Sequence, residues 1–418
     1  MMTQAFYTGI NGIQAHQNAI DVLTDNLANT STTGFRGYST EFSSMFENMI
    51  NTPSASSSVD STVGVGVNLN AIVMDEKQGV LELTNRSTDL AILGDGWFGI
   101  QGEGKPLYTR DGSFVFDKNR DLVTNDGYYV LGTMSNNIND EVLTEQLSEA
   151  TLGDVSAQEK LRFPENLLYS AEPTTTAKFY ANLGTEDLIR SVSAEVVDAD
   201  SNKNSLRLEF QKSVPQTLPG SQWDVTATTQ SLDGTEIYST ENGVVNISAE
   251  GALVSTTLTS IDNKGVNIDI DLGSGYSGVA VTGSTFSSSS ESNGLEAGEL
   301  LGYDINKNGE VVATFSNGRQ SAVGAIAVYH FQNDRGLERV NGARFKEGLN
   351  SGQPLFSKDE NGKNIIGTDI TNFKLEGSNV RMEVGLTEII VLQRAFDANS
   401  KSITTSDQML QKALNMDG

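Results

Sequence analysis

The chain of 418 residues contains no cysteine and only two histidines. The missing thiols exclude a disulfide framework, a thiolate zinc site, an iron–sulfur cluster and a cysteine nucleophile. Neither His16 nor His330 has a nucleophile or carboxylate close in sequence that would indicate catalysis. We therefore expect no catalytic residue, no metal and no cofactor.

Positive charge is also scarce, with 28 basic residues against 54 acidic ones and a net charge of -26. This balance disfavours binding to nucleic acid or to anionic lipid. No apolar run approaches the roughly 20 residues that span a bilayer, so we expect no membrane insertion. The first charged residue is Asp21, whereas a cleaved secretory signal needs an early positive charge. If the protein is exported, we expect it to leave the cell without such a signal.

Both ends of the chain carry a heptad pattern of apolar residues, from Thr3 to about Ala28 and from about Ser378 to Met416. The apolar positions of the two stripes are Phe6, Ile10, Ile13, Ile20 and Leu27 at one end, and Met382, Leu386, Ile389, Phe396, Ile403, Leu410 and Leu414 at the other. We predict two long terminal helices that pack through these residues. The pattern alone fits an intramolecular hairpin and contacts between copies of the chain equally well.

Between these helices the sequence is typical of β-structure, with 41 glycines and 7 prolines. Pairs that favour turns separate short alternating apolar runs. The turn pairs are Asp126-Gly127, Asn242-Gly243, Asn308-Gly309, Asn317-Gly318 and Asn361-Gly362. The strand-like runs are Asp89 to Leu93, Tyr128 to Leu131, Arg207 to Phe210, Val266 to Ile270, Glu310 to Phe315 and Ala325 to Phe331. We predict a mostly β protein with α-helical termini and nested barrel-type or sandwich-type β domains.

The negative charge is concentrated in the middle of the chain, since residues 135–300 hold 25 acidic and 8 basic residues. Two serine-rich stretches, Thr52–Ser61 and Gly283–Ser292, favour flexible loops or linkers. We predict a terminal helical domain (1–30 with 378–418), an extended connector (31–71 with about 361–377), a first β domain (72–172 with 293–360) and an inserted acidic β domain (173–292).

Two motifs suggest ligand sites but lack the context that such sites need. Gly94, Gly96 and Gly99 form GxGxxG, yet further glycines and a proline follow, so the helix that would hold a pyrophosphate cannot form. We predict a tight turn there, with Trp97 and Phe98 packed in the core. The stretch from Asp304 to Gly309 matches half of a calcium loop, and we predict a β-turn.

Four blocks, in order, resemble the bacterial flagellar rod and hook protein family. They are NLANTSTTGFR (Asn26–Arg36), TDLAILGDGWFGIQ (Thr88–Gln101), YTRDGSFVFDKNRDLVTNDGYYVLG (Tyr108–Gly132) and the closing segment Leu375–Leu414. The signature residues within them are Asn26, Asn29, Gly34, Phe35, Asp95, Gly96, Arg110, Gly112, Phe114, Ser378, Asn379, Gln393 and Arg394. The length and the segments Thr174–Gly184 and Gly302–Gln320 look like the hook members of the family.

The resemblance implies a structural subunit rather than an enzyme. It implies export through the flagellar type III apparatus, self-association into a curved tube that acts as a universal joint, and contacts with flagellar rod, hook cap and hook–filament junction proteins. The terminal helices would form a coiled-coil-like inner layer, and the location would be the extracellular hook of the flagellum. The nearest alternative is a distal rod protein; a secreted adhesin or hydrolase explains the terminal helices less well.

Overall fold

The computed structural model describes residues 2–48, 62–102, 104–186, 189–216, 220–283 and 285–416. It is mostly β-structure with one long helix at each end, as predicted. Helix α1 spans Met2–Ala28 and helix α2 spans Met382–Met416. Helix α2 begins four residues later than the heptad pattern predicts, because Ser378 and Asn379 make other hydrogen bonds. The serine-rich stretch Thr52–Ser61 lies outside the described residues.

Two long antiparallel strands follow α1, and two groups of strands lie between them and α2. The first pair is β1 (Tyr38–Asn48) and β2 (Thr62–Met74). Next come β3 (Leu81–Leu83), β4 (Leu90–Leu93), β5 (Trp97–Gln101), β6 (Leu107–Thr109), β7 (Phe114–Phe116), β8 (Leu122–Thr124), β9 (Tyr129–Met134), β10 (Ile138–Asn139), β11 (Val142–Leu143), β12 (Glu159–Lys160) and β13 (Leu168–Tyr169). The only other helical turns in the described ranges are 3-10 turns at Val155–Ala157 and Asp334–Gly336.

The middle of the chain forms eleven strands, which we call the insert region. They are β14 (Thr176–Asn182), β15 (Arg190–Val197), β16 (Lys203–Lys212), β17 (Ser221–Ser231), β18 (Ile237–Ile247), β19 (Leu253–Thr256), β20 (Ser260–Asn263), β21 (Val266–Asp271), β22 (Gly273–Ser274), β23 (Ser277–Ala280) and β24 (Ser287–Ser292). Strands β15 to β19 form an antiparallel sheet in chain order, and β14 is central to a six-stranded sheet. One buried core holds Phe210 and Trp223 from the first sheet with Phe179 and Ile268 from the second.

The chain then returns to the strands that precede the insert region. These last strands are β25 (Gly298–Ile305), β26 (Glu310–Phe315), β27 (Gln320–Ile326), β28 (Val328–Tyr329), β29 (Glu338–Asn341), β30 (Arg344–Lys346), β31 (Ser357–Lys358), β32 (Asn364–Ile365), β33 (Asp369–Asn372) and β34 (Lys374–Glu376). Strands β3 to β13 and β25 to β34 together form what we call the first β region. A 15-stranded sheet joins both stretches through pairs such as β13 with β25 and β27 with β9.

The glycines after β4 make the predicted turn. Gly94 and Gly96 have φ values of 109° and 126°, which favour glycine, and the chain continues directly into β5. Trp97 and Phe98 are both buried in the core. The Asn308-Gly309 pair likewise forms the turn between β25 and β26, with Gly309 at φ 74°.

The structure corrects three predictions. The stretch Gly283–Ser292 is not a free linker, because Ser287–Ser292 forms β24 along β14 and the hydroxyls of Ser290 and Ser292 donate to backbone carbonyls of β15 at 2.8 and 2.7 Å. Asn242-Gly243 lies inside β18 rather than in a turn. A Cβ on Gly243 would lie 2.7 Å from that of Leu258, so close packing explains this glycine. The run Ala325–Phe331 is split between β27 and β28.

Candidate functional site

The two terminal helices lie antiparallel, and small residues of α1 form the centre of their contact. Ala15 and Ala19 are buried. A Cβ on Gly9 would lie 2.7 Å from Cγ1 of Ile403, and one on Gly12 would lie 2.6 Å from Nδ2 of Asn399. Glycine at these positions therefore lets the helix backbones approach closely.

The predicted stripe residues flank this contact. On α1 they are all half-buried, namely Phe6, Ile10, Ile13, Ile20 and Leu27. On α2 the half-buried stripe residues are Ile389, Phe396, Ile403 and Leu410. The exposed ones are Met382, Leu386 and Leu414, at 52%, 47% and 75%. The helix pair thus leaves part of the α2 stripe uncovered within one chain.

Two asparagines attach the helices to strands β1 and β2. Asn26, near the end of α1, donates from Nδ2 to the carbonyl of Tyr38 at 2.6 Å and accepts from the Tyr38 amide at 2.9 Å. Asn379, just before α2, accepts from the Gly37 amide at 2.7 Å. Its Nδ2 donates to the carbonyls of Asp75 and Lys77, both at 2.9 Å. A single side chain therefore joins the start of α2 to the start of β1 and the end of β2.

A buried carboxylate lies beside these asparagines, between two buried arginines. The Oε1 of Glu376 lies 2.9 Å from Arg36 Nη2 and accepts from the Gly79 amide at 2.9 Å, while its Oε2 lies 3.3 Å from Arg110 Nη1. The three charged side chains are 1%, 2% and 3% exposed for Glu376, Arg36 and Arg110. Burial, and next the neighbouring Arg36 charge, lower the pKa of Arg110 to about 10, so it remains charged at neutral pH. We call Asn26, Arg36, Arg110, Glu376 and Asn379 the anchor cluster.

The arginines also bond to backbone around the cluster. Arg110 donates to the carbonyl of Gly94 at 2.6 Å, and its guanidinium lies 5.4 Å from the centre of the Trp97 ring. Arg36 donates to the carbonyl of Lys77. Because buried charges are stable only when they are paired and hydrogen-bonded, these contacts hold the cluster in one arrangement.

The loop after α1 fits tightly against the first β region. Gly34 has φ 67°, its amide donates to the carbonyl of Glu376 at 2.7 Å, and a Cβ there would lie 2.4 Å from the amide nitrogen of Asp111. Phe35 is 1% exposed. A Cβ on Gly112 would lie 2.0 Å from the carbonyl oxygen of Leu90. Only glycine can occupy these two close approaches without moving backbone.

The remaining signature residues have local or surface positions. Phe114 packs edge-on against Phe98 in the core, with ring centroids 5.1 Å apart. Asn29 donates to the carbonyl of Asp25 at 2.8 Å at the end of α1, and the Ser378 hydroxyl accepts from the Val380 amide. Other signature residues are less constrained: Asp95 is exposed beside the turn at Gly96, and Gln393 and Arg394 are exposed on α2.

Arg36 and Glu376 were not among the predicted site residues, although both lie at the ends of the quoted blocks. The sequence offered one indication that Arg36 has a particular role, namely that it is the first basic residue of the chain. Within the described ranges, no three His, Asp or Glu side chains are grouped so as to hold a metal ion. No helix in the described part of the chain has the length and hydrophobicity to cross a bilayer. The anchor cluster is suited to joining segments of chain rather than to chemistry on a substrate.

Three segments match models of flagellar protein families. Residues 6–36 match a model described as Flagella basal body rod protein, residues 91–157 match the Flagellar hook protein FlgE/F/G D1 domain, and residues 373–416 match the Flagellar basal body rod FlgEFG protein C-terminal model. The first and last of these segments contain most of α1, all of α2 and four of the five residues of the anchor cluster. The matches define the class as a structural subunit of the flagellar rod and hook, and not an enzyme.

Full-length relatives narrow this class. The chain is 30% identical over 435 residues to the flagellar hook protein FlgE of Brucella suis, with 98% of both chains covered. It is 29% identical to that of Borreliella burgdorferi, with 99% of this chain and 100% of the relative covered. A solved structure of Helicobacter pylori flagellar hook protein FlgE2 matches with a TM-score of 0.49 and 16% identity, over 71% of this chain and 100% of that one. The chain belongs to the flagellar hook protein family, and its resemblance to the hook members is confirmed.

Proposed function

We propose that this hook subunit associates with copies of itself into a curved helical tube, which acts as a universal joint and passes motor torque to the filament. The observation that carries the proposal is the uncovered apolar surface of α2. Seven exposed apolar residues contribute to it, namely Met382, Val384, Leu386, Ile390, Val391, Met409 and Leu414. Burying a whole side chain of this kind stabilises by about 1.5 to 3 kcal/mol, so covering the exposed halves contributes roughly 1 kcal/mol each.

A groove beside this surface extends the apolar area. It has a volume of about 590 Å³ and lies between α1, β1 and α2. Its apolar lining includes Val22, Leu23, Phe42, Val384 and Val391. We infer that terminal helices of neighbouring copies cover both the groove and the exposed stripe, in a coiled-coil-like inner layer.

We further propose that the anchor cluster transmits force between this helical layer and the first β region. Arg36 follows α1, Glu376 precedes α2, and Arg110 belongs to the first β region. A load on either helix therefore reaches the β-sheet through a buried ion pair, which solvent salt screens weakly. This arrangement supports a rigid connection at the base of each subunit.

The predicted domain division also remains a proposal. The insert core draws its buried residues from Ala177 to Val279, whereas the core of the first β region combines residues from both sides of the insert. This supports a sandwich-type inserted domain at 173–292 within a first β domain at 72–172 and 293–360. The terminal helical domain would comprise 1–30 with 378–418, and the connector 31–71 with about 361–377. The partners would be rod, hook cap and hook–filament junction proteins, and the export apparatus would act on an uncleaved chain.

The test substitutes exposed residues, so that the helix pair within one chain is spared. Leu386→Asp combined with Val391→Asp should leave a helical, β-rich chain by circular dichroism that forms no tubes in negative-stain electron micrographs. The matched control, Ser402→Asp with Gln408→Asp, adds the same charge at exposed polar positions of α2 and should still assemble. Normal tubes from the first variant would refute the proposal. Ile389 and Phe396 are less suitable, because they share the heptad stripe of Ile403, which contacts α1.

A further inference from the structure

A hairpin of the first β region reaches helix α1 beside the anchor cluster, where Asp25 is the chain neighbour of Asn26. Strands β29 and β30 form this hairpin, and Arg339 pairs across it with Phe345. Phe345 is 1% exposed and packs against Trp97 with ring centroids 4.8 Å apart. Arg339 is therefore carried by a hairpin that is fixed in the core.

The guanidinium of Arg339 bridges the hairpin and the helix. Its Nη1 donates to Oδ2 of Asp25 on α1 at 2.6 Å, and its Nε donates to the carbonyl of Gly342 in its own hairpin at 2.9 Å. The guanidinium carbon lies 4.9 Å from the centre of the Phe35 ring and 5.7 Å from that of Tyr38. The rings of Phe35 and Tyr38 and the carbonyl of Gly342 therefore hold the guanidinium in the orientation that pairs with the Asp25 carboxylate.

This ion pair differs from the anchor cluster in its access to solvent. Arg339 and Asp25 are 27% and 48% exposed, whereas the charged groups of the anchor cluster are at most 3% exposed. Salt screens partly exposed charges much more than buried ones. The same two bodies, α1 and the first β region, are therefore joined by one contact that salt screens strongly and another that it screens weakly.

We propose that Asp25 and Arg339 form a salt-sensitive clasp that sets the angle between α1 and the first β region. With the clasp closed, as in this structure, the link between the end of α1 and the first β region consists of the clasp together with the buried contacts of the anchor cluster. With the clasp open, that link depends on the anchor cluster and the loop at Gly34 alone, and a wider range of angles between α1 and the first β region becomes accessible. The clasp thereby couples ionic strength to the geometry of the subunit.

The distance between the two bodies can be measured directly, because the chain has no cysteine of its own. Spin labels on Asn18→Cys in α1 and Lys118→Cys in the first β region would report the distance by pulsed electron paramagnetic resonance. In about 0.05 M salt the parent chain should give one narrow distribution, and Asp25→Asn and Arg339→Gln should each broaden it. Raising the salt to about 0.5 M should broaden the parent distribution and leave those of the variants unchanged.

Two controls separate the clasp from general effects of charge. Glu338→Gln breaks an ion pair with Lys346 within the same hairpin and should leave the distribution narrow. The double variant of Asp25 and Arg339 should be no broader than either single one, because the two residues act as a pair. A narrow distribution in Asp25→Asn, or additive broadening in the double variant, would overturn the proposal.

A second readout rests on the proposed function, since it uses assembled tubes. Tubes of Asp25→Asn should have a different curvature from those of the parent chain at low salt, and the two should converge at high salt. Tubes of identical curvature at both salt concentrations would refute the clasp, whereas a parent chain that forms no tubes would refute the proposed assembly. The distance measurement does not depend on assembly and decides the inference by itself.

Discussion

Replacing Glu376 by glutamine tests whether the anchor cluster holds the subunit together. Glutamine keeps the shape of the side chain and an oxygen that can accept from the Gly79 amide, but it removes the negative charge between Arg36 and Arg110. Removing one partner of a buried ion pair typically destabilises by about 3 to 5 kcal/mol, since it leaves an uncompensated buried charge. Because one hydrogen bond can survive, we expect a loss of about 3 kcal/mol in the free energy of unfolding.

The two tryptophans allow this loss to be located. Trp97 lies in the core of the first β region and Trp223 in the core of the insert region. Urea unfolding of Glu376→Gln, followed by fluorescence in a Trp223→Phe background, should show the midpoint of the first β region lowered by about 1 M or more. The insert transition, read from Trp223 in a Trp97→Phe background, should not move.

The control for this experiment is Glu338→Gln, which removes a carboxylate that is 53% exposed and 3.0 Å from Lys346. Exposed pairs contribute between about 0 and 1 kcal/mol, so its midpoint should stay close to that of the parent chain. Equal midpoints for Glu376→Gln and the parent would refute the structural role of the cluster. An equal loss in both transitions would show that the effect is not local.

Two further predictions concern alkaline pH and the loop after α1. Burial raises the pKa values of four tyrosines of the first β region above their ordinary value of 10, namely Tyr108, Tyr169, Tyr303 and Tyr329. The stability they contribute is present below pH 10 and is lost as the pH rises further, so the first β region should unfold before the insert region when tyrosinate absorbance and fluorescence are followed together. Separately, Gly34→Ala should cost more than about 2 kcal/mol in chemical denaturation, because it combines a left-handed φ with a contact to the backbone of Asp111. Gly302→Ala, which meets no atom within 4 Å, should be nearly neutral, and equal losses for the two variants would contradict this reasoning.

The terminal helices could be predicted from the sequence because the pattern that indicates each helix lies within one continuous segment of the chain. A heptad stripe repeats every seven residues, and α1 and α2 occupy nearly the ranges that it indicates. The turns at Gly96 and Gly309 were predictable for the same reason, because a glycine directly before a strand-like run favours a turn through the conformation of that residue alone.

The errors arose where distant segments decide the structure. Ser287–Ser292 has no apolar side chain, yet it forms a strand because its hydroxyls can bond to the carbonyls of β15, about a hundred residues away. Gly243 has the sequence context of a turn, but its role is to admit Leu258. The partners in the anchor cluster are even further apart, since Arg110 and Glu376 are separated by 266 positions. No local pattern reports such a pairing.

Copies of this chain are proposed to associate through the exposed apolar surface of α2. Val391 is 61% exposed in the single chain and lies in the middle of that surface, and Val391→Cys would be the only thiol present. The decisive measurement is the rate at which a soluble thiol reagent modifies this cysteine in the dispersed chain and in assembled tubes. We predict rapid modification of the dispersed chain and strong protection in the tubes; equal rates in the two states would contradict the account.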